Sequence, residues 1–404
     1  MTRGAVIVGG SVAGTRVARG LRANGFPHPV TILEAESHLP YDKPPLSKAS
    51  LSGPEVSPVP LLTAAEVGDL DIDLQLGTRA VHLDLETAVV HTADGKDVPF
   101  RELIIATGAS AKPSPWGAPT GVHVLRTLDD AMAVRHSLDR GGDVTIIGAG
   151  FIGSEIASAA RVRGLRVTMV DPVAVPMTRI VGEKLGQRFV DLHRRHGVDT
   201  RFGVGVETIE QDGQGLLVHL DDGSVLRSAT VIVGIGTVLN TRWLDGSGLV
   251  IEDGVVCDDF CRAVGQLRVH AVGDTARWYH RRHSQSARTE HWTNAIEQAA
   301  CVAWNITHPD ELRAYEPIEY VWSDQYDWKV HILGRPDPLD QPTLIEDRDA
   351  DRLAAFWTSP RDEITGAITV NWSKASVMLR RAIATRAAAS GLVHKLVPVQ
   401  RIAT

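Results

Sequence analysis

A run of apolar residues suited to a buried strand, Val144-Thr145-Ile146-Ile147, leads straight into Gly148-Ala149-Gly150-Phe151-Ile152-Gly153. The glycines hold the G-x-G-x-x-G spacing, and a helical pattern with Ile152, Ile156 and Ala159 on one face follows. The first glycine permits a tight turn, the second lets a pyrophosphate reach the backbone, and the third lets helix and strand pack closely. The helix start then presents unpaired N–H groups and a partial positive charge to phosphate. Gly164 stands where such a helix would end. The spacing alone is a weak signal, but strand, turn and helix together make up the context of a dinucleotide site. Glu155, a carboxylate expected in the first turn of this helix, serves no phosphate.

The same order of parts stands at the N-terminus. Ala5-Val6-Ile7-Val8 leads into Gly9-Gly10-Ser11-Val12-Ala13-Gly14, with Ser11 in place of the middle glycine. A helix with Ala13, Val17 and Leu21 on one face ends at Asn24-Gly25. Val30-Thr31-Ile32-Leu33 then ends in Glu34, about where an acid grips an adenosine ribose, and Glu36 competes for the role. Asp94-Gly95 turns a hairpin, and the strand Leu103-Ile104-Ile105-Ala106 ends in Thr107-Gly108. In the second copy Val167-Thr168-Met169-Val170 ends in Asp171, and Asp222-Gly223 turns a hairpin. Val231-Ile232-Val233 then runs into Gly234-Ile235-Gly236. A whole domain plan repeated in one order predicts two dinucleotide sites in one chain.

A chain of 404 residues is too long for one ordinary core, so two or three domains are expected. A net charge of −7 argues against a nucleic-acid partner, which needs clustered Lys and Arg. The apolar stretches are strand-sized, so no membrane span is expected. The first strand begins within a few residues of Met1 and leaves no room for a signal peptide. Cys257, Cys261 and Cys301 form no C-x-x-C or zinc pattern. A cytoplasmic protein without a metal site, monomeric or weakly dimeric, is the expectation.

Elsewhere the alternation of strand and helix breaks. Pro40, Pro44 and Pro45 forbid a regular element in a loop that nonetheless carries Lys43 and Lys48. The strand Val269-His270-Ala271-Val272 ends in Gly273-Asp274, a carboxylate at a strand's C-terminal end, where open α/β sheets bind ligands. A basic, aromatic stretch over residues 277–288 precedes Glu290-His291-Trp292 and a helix ending near Asn305. Strand-like runs at 330–333, 353–357 and 364–370, then a helix carrying Val377, Leu379 and Ile383, predict an α+β tail without a fingerprint.

These residues carry a resemblance over essentially the whole length. Both fingerprints, residues 41–48, Ala106-Thr107-Gly108, Leu125-Arg126-Thr127, Val272-Gly273-Asp274 and Trp322-Ser323-Asp324-Gln325 resemble the flavoprotein ferredoxin reductases of the putidaredoxin-reductase and rubredoxin-reductase group, which serve oxygenases and cytochromes P450. The resemblance implies an α/β fold with two Rossmann-like domains: an FAD domain (1–112 and 239–317) around an inserted NAD domain (113–238), then a C-terminal α+β domain (318–404). It implies that Gly9, Ser11, Ala13, Gly14, Glu34 or Glu36, Lys43, Lys48, Ala80, Thr107, Gly108, Arg126, Asp274 and Trp292 hold FAD. NAD falls to Gly148, Gly150, Phe151, Ile152, Gly153, Asp171, Arg179 and Gly236. Ser11 and the ambiguous ribose acid are the departures.

The implied chemistry has two halves. NADH gives up two electrons as a hydride, an iron–sulfur ferredoxin accepts one at a time, and a flavin stands between them. No protein nucleophile is needed, and no G-x-S-x-G or H-E-x-x-H occurs. Lys48 and Glu155 are the candidate catalytic pair, because the implied fold sets the Lys48 loop over the flavin and the second helix start beside it. An ammonium there favours the anionic reduced ring and a carboxylate orients it; an ordinary ion pair is the plain alternative. Asp171 argues for NADH, since a carboxylate accepts from a ribose 2′-OH and repels a 2′-phosphate, with Arg179 near enough to leave NADPH open. Arg277, Arg281, Arg282 and Arg288 form either a solvated loop or a docking face for an acidic ferredoxin, with Arg380 and Arg381 contributing. An NADH oxidase or rubredoxin reductase is the alternative enzyme, and an apoptosis-inducing-factor-like NADH-responsive flavoprotein the alternative of another class.

Overall fold

Both fingerprint strands, Gly4–Val8 and Val144–Ile147, are buried along their whole length, as strands flanked by parallel neighbours must be. The computed structural model describes residues 3–347 and 349–396, which fall into two compact units. The first comprises Met1–Lys43, Pro58–Ser110 and Thr237–Pro317; the second comprises Pro44–Ser57, Ala111–Gly236 and Ile318–Thr404.

In the first unit the strands Ile72–Gln75, Val30–Leu33, Gly4–Val8, Asp97–Ile105 and Val269–Ala271 lie side by side in parallel. An antiparallel meander of Ala80–Asp84 and Val89–Thr92 joins through the same strand Asp97–Ile105. The strand expected at 103–106 is thus the second half of a nine-residue strand that begins in the hairpin. Pro99, which can donate no ladder hydrogen bond, sits where the strand exchanges its antiparallel neighbour for parallel ones.

The second unit repeats this plan. Asp199–Phe202, Val167–Asp171, Val144–Ile147, Thr230–Val233 and Val122–His123 run parallel, with a meander Val206–Gln211, Leu216–Leu220, Val225–Ser228 attached. The expected C-terminal domain belongs to this unit as an antiparallel sheet of five strands: Tyr320–Gln325, Trp328–Gly334, Ile364–Val370, Arg352–Thr358 and Thr343–Asp347. One cluster of its apolar side chains, Trp328, Val330, Trp357 and Ile368, buries Leu185, Phe189 and Leu192 of the helix Glu183–Arg195. A second cluster, with Leu333, Phe356 and Ala367, packs on Leu379 and Ile383 of the helix Ser373–Thr385. The two layers therefore share a core, and cooperative packing makes one unit of them.

Residues 44–57 correct two expectations. They pack with the second unit, and the prolines do not abolish regular structure: Pro44–Ser47 forms a 3₁₀ turn and Ala49–Ser52 one helical turn. Proline is tolerated in a first turn, where its missing N–H is not needed. Leu51 is fully buried against Val134, Leu138, Ile156 and Ala160. The Arg135 and Arg163 guanidinium groups donate to the carbonyls of Gly53 and Leu51 at 2.7 and 2.9 Å. No described helix is long and apolar enough to cross a membrane.

His193 lies inside the second unit between Ser154, whose hydroxyl is 3.3 Å from Nε2, and the Tyr326 hydroxyl, 2.9 Å from Nδ1. Burial first, and His196 second, push its imidazole down from 6.5 to about 4. The unfolded chain takes up that proton near pH 6.5 and the folded chain only near 4, so stability falls as pH drops through this window. The loss is about 3 kcal/mol. Urea unfolding midpoints measured from pH 7 to 4 should show this acid limb, and His193→Gln should flatten it.

Candidate cofactor sites and the buried Lys48–Glu155 pair

Four helices in the chain show what this sequence does with a helix start. Thr63 and Thr127 close full capping boxes over the helices Ala64–Asp69 and Leu128–Asp139. The two fingerprint helices, Val12–Ala23 and Phe151–Val162, have no side-chain cap and no acid in the first turn. Ser11 is a residue type that caps well, yet its side chain does not cap. The first-turn amides therefore have no side-chain acceptor, which suits a phosphate. Glu155, expected in that first turn, is the fifth residue of its helix because the helix begins at Phe151.

The two loops match residue for residue. A Cβ on Gly14 would lie 1.9 Å from the Gly9 oxygen, and one on Gly153 would lie 2.0 Å from the Gly148 oxygen. Gly9 and Gly148 have φ of +107° and +102°, a region open to glycine at little cost, and each backs onto the carbonyl of Ala106 or Gly234. At the middle position Ser11 has φ −76° and ψ −162°, Gly150 φ −77° and ψ −171°. Serine thus adopts the glycine conformation without strain. A Cβ on Gly150 would meet nothing within 4 Å, so the space before it is open to a cofactor. Phe151 is partly buried and Ile152 exposed at this helix start. The residues present fit a dinucleotide at both loops.

The acids at the ends of the second strands are held alike. Glu34 accepts from the Gly10 and Glu36 amides at 2.6 and 2.8 Å; Asp171 accepts from the Ala149 and Val173 amides, both at 2.8 Å. Glu34 is therefore the geometric counterpart of Asp171. Glu36 is bound instead by the Tyr41 hydroxyl at 2.5 Å and Lys43 Nζ at 2.9 Å. Arg179 is exposed in the helical turn Thr178–Val181, and Gly236 follows the strand Thr230–Val233 with φ +106°.

The remaining expected residues divide between the units. In the first, Thr107 and Gly108 are tied to Asn240 by three hydrogen bonds of 2.8–3.0 Å. Asp274 sits in the turn after the parallel strand Val269–Ala271. Trp292 opens the helix Trp292–Thr307 and its indole donates to Asp42 at 2.6 Å. Ala80 opens the strand Ala80–Asp84, and Ala13 is buried in the first helix. Lys48 and Arg126 belong to the second unit, Arg126 with its amide on Asp130 at 2.9 Å.

Lys48 and Glu155 do meet. Lys48 Nζ lies 2.8 Å from Glu155 Oε2, with the carboxylate side chain 3% exposed and the lysine 22%. Two hydroxyls join them: Ser47 donates to Oε2 at 2.5 Å and Ser323 to Oε1 at 2.7 Å. A buried carboxylate is tolerable only when met by donors. Both serines lie in motifs that carry the resemblance, but neither was given a role from the chain; the available signal was polar Ser323 and Gln325 alternating on the buried side of a strand.

Three of the arginines expected to dock a partner are paired within their own unit. Arg277 meets Glu252 at 2.8 Å, Arg281 meets Asp259, and Arg288 meets Asp253 and Glu290 at 2.9 and 2.6 Å. That face carries mixed charge. The three cysteines are free thiols, and burial pushes each up, Cys301 to about 11 and the other two further. They are poor nucleophiles.

The pattern of the family described as pyridine nucleotide-disulphide oxidoreductase matches residues 4–299, and one described as reductase C-terminal matches residues 320–393. Rhodocoxin reductase of Rhodococcus erythropolis is 33% identical over 385 residues, 94% of this chain and 89% of its own. The ferredoxin–NAD(+) reductase component of the p-cumate 2,3-dioxygenase system of Pseudomonas putida is 32% identical over 389 residues, 94% of this chain and 93% of its own. Among solved structures, the covalent putidaredoxin reductase–putidaredoxin complex superposes with a TM-score of 0.90 at 28% identity, over 95% of this chain and 94% of that one.

The two fingerprint glycines predict opposite phenotypes. Gly153→Ala should lower stability by about 1–3 kcal/mol in urea unfolding, because its Cβ has no room. Gly150→Ala should stay within about 1 kcal/mol and instead weaken binding of a pyridine dinucleotide about tenfold. Equal stability losses in the two variants would contradict this division.

Proposed function

The chain belongs to the pyridine nucleotide-disulphide oxidoreductase family, and on that footing we propose that it is an FAD-dependent reductase that takes hydride from NADH and passes single electrons to an iron–sulfur ferredoxin serving a cytochrome P450 or another oxygenase. The observation that carries this reading is the pair of uncapped fingerprint loops, each with an acid held by its own amides. Bound FAD supplies the conversion of one two-electron transfer into two one-electron transfers.

The chain's own residues do the rest. Gly9, Ser11, Ala13 and Gly14 and the start of the helix Val12–Ala23 hold the FAD pyrophosphate, and Glu34 its ribose, with Thr107, Gly108, Arg126, Asp274 and Trp292 as further contacts. Gly148, Gly150 and Gly153 hold NADH. Asp171 accepts from the ribose hydroxyl and repels a 2′-phosphate. Lys48 is the catalytic cation and Glu155, acting through it, its positioning residue. The free thiols make no redox pair, so electrons leave for the partner without a protein disulfide. Arg277, Arg281, Arg282 and Arg288 dock the ferredoxin by exchanging internal carboxylates for those of the partner, an exchange that salt weakens.

Two measurements test the reading. Turnover with a ferredoxin should favour NADH over NADPH at least about tenfold in kcat/KM, and Asp171→Ala should narrow that ratio; a preference for NADPH would overturn the assignment. In rapid mixing, Glu155→Ala should retain FAD while its reduction by NADH slows about tenfold or more. Unchanged reduction rates would remove Lys48 and Glu155 from the chemistry.

A further inference from the structure

The segment Trp322-Ser323-Asp324-Gln325 belongs to neither fingerprint, yet it reaches the carboxylate on which the Lys48 ammonium rests. On the strand Tyr320–Gln325 the buried positions at its end are polar: Ser323 is 1% exposed and Gln325 0%. Period-two alternation puts both on one face, where an ordinary strand would bury apolar side chains.

Their hydrogen bonds form a one-way chain. Gln325 Nε2 donates to Ser323 Oγ at 3.2 Å, and Ser323 Oγ donates to Glu155 Oε1 at 2.7 Å. A serine hydroxyl has one hydrogen. With the amide of Gln325 occupying a lone pair, that hydrogen is committed to Glu155. The reverse amide orientation would set two acceptors against one proton. Gln325 Oε1 is buried and has no partner among the described residues, a cost that native structures seldom carry without a role.

The donors are unequally divided between the two carboxylate oxygens. Oε2 receives Ser47 and Lys48, whereas Oε1 receives Ser323. Without Ser323, Oε1 would be bare in a buried place, and the Lys48 ammonium, a charged group with three donors on a flexible stem, would be drawn across to bridge both oxygens. Its charge would then be spent on Glu155.

We propose that Ser323, oriented by Gln325, is a positioning residue that saturates Glu155 Oε1 and so keeps the Lys48 ammonium available to the cofactor. This rests on the reading of Lys48 as the cation that stabilises reduced FAD.

The test uses the FAD-loaded protein and two readouts, the rapid-mixing rate of flavin reduction by NADH and the flavin midpoint potential. Ser323→Ala should slow reduction roughly 10- to 100-fold, the usual worth of a hydrogen bond to a charged group. It should lower the potential in the same direction as Lys48→Met. Ser323→Thr, which keeps the hydroxyl, should restore both. Gln325→Leu should shift both readouts in the same direction by less, and carries the test alone if Ser323→Ala does not fold. Wild-type rate and potential in Ser323→Ala, beside slow Lys48→Met and Glu155→Ala, would overturn the inference and leave the reading of Lys48 standing. A lowered melting temperature with unchanged potential would make Ser323 merely structural and overturn it equally. Wild-type behaviour in Lys48→Met and Glu155→Ala would bring down the reading itself, and this inference with it.

Discussion

A carboxylate removed from water has to be met by donors, and Glu155 collects its own from two stretches of chain far from it and from each other in sequence. Ser47 and Lys48 come from the proline-rich segment, Glu155 from the helix after the second fingerprint, and Ser323 from the C-terminal sheet. Removing one partner from such a buried group costs about 3–5 kcal/mol, far more than exposed pairs are worth. The arrangement ties the segment Pro44–Ser57 to the second unit, where Leu51 completes an apolar core. A nearby contact, in which the Tyr326 amide donates to the Ser158 hydroxyl at 2.8 Å, fastens the same helix to the turn after Gln325. The chemistry assigned to Lys48 therefore depends on a scaffold that three segments build together.

The fingerprint loops are the complementary case, in which a need is left open. Where this chain wants a helix start closed it uses Thr63 and Thr127 with a return contact from Glu66 and Asp130. At Ser11 and Gly150 it does not. Amides without a side-chain acceptor at a helix start are a standing cost unless a ligand repays it. The near-equality of the two loops, down to the backbone angles of Ser11 and Gly150, comes from the same packing problem solved twice. A strand, a tight turn and a helix leave no room for a Cβ at the first and third glycines, whatever the ligand. Only the middle position is free of that packing constraint, and in the first loop it carries a serine.

Much of this was legible in the chain. Apolar strands before glycine turns, Asp-Gly hairpins and acids at strand ends are local signals, and each element they implied is present. What was misread depends on tertiary context. Residues 103–106 looked like a separate strand because nothing local says that a strand may exchange neighbours at Pro99. The prolines at 44 and 45 looked like breakers because their tolerance in a first turn depends on how the next residues pack, Leu51 above all. That Arg277, Arg281 and Arg288 are paired within their unit was not legible, because their carboxylate partners Glu252, Asp259 and Asp253 lie elsewhere in the chain. Ser47, Ser323 and Gln325 were given no role because which buried group each would meet is set by packing between distant segments.

The sequence by itself determined the duplicated α/β plan, the two dinucleotide loops and the oddity of Glu155, since all three follow from glycine conformational freedom and side-chain period over short spans. Only the tertiary structure decided that Glu34 is held as Asp171 is, that the inserted and C-terminal layers share one core, and that Glu155 is met by Ser47, Lys48 and Ser323. Those facts rest on burial and on hydrogen bonds between segments more than a hundred residues apart, and no local pattern records which distant donor will meet a buried charge.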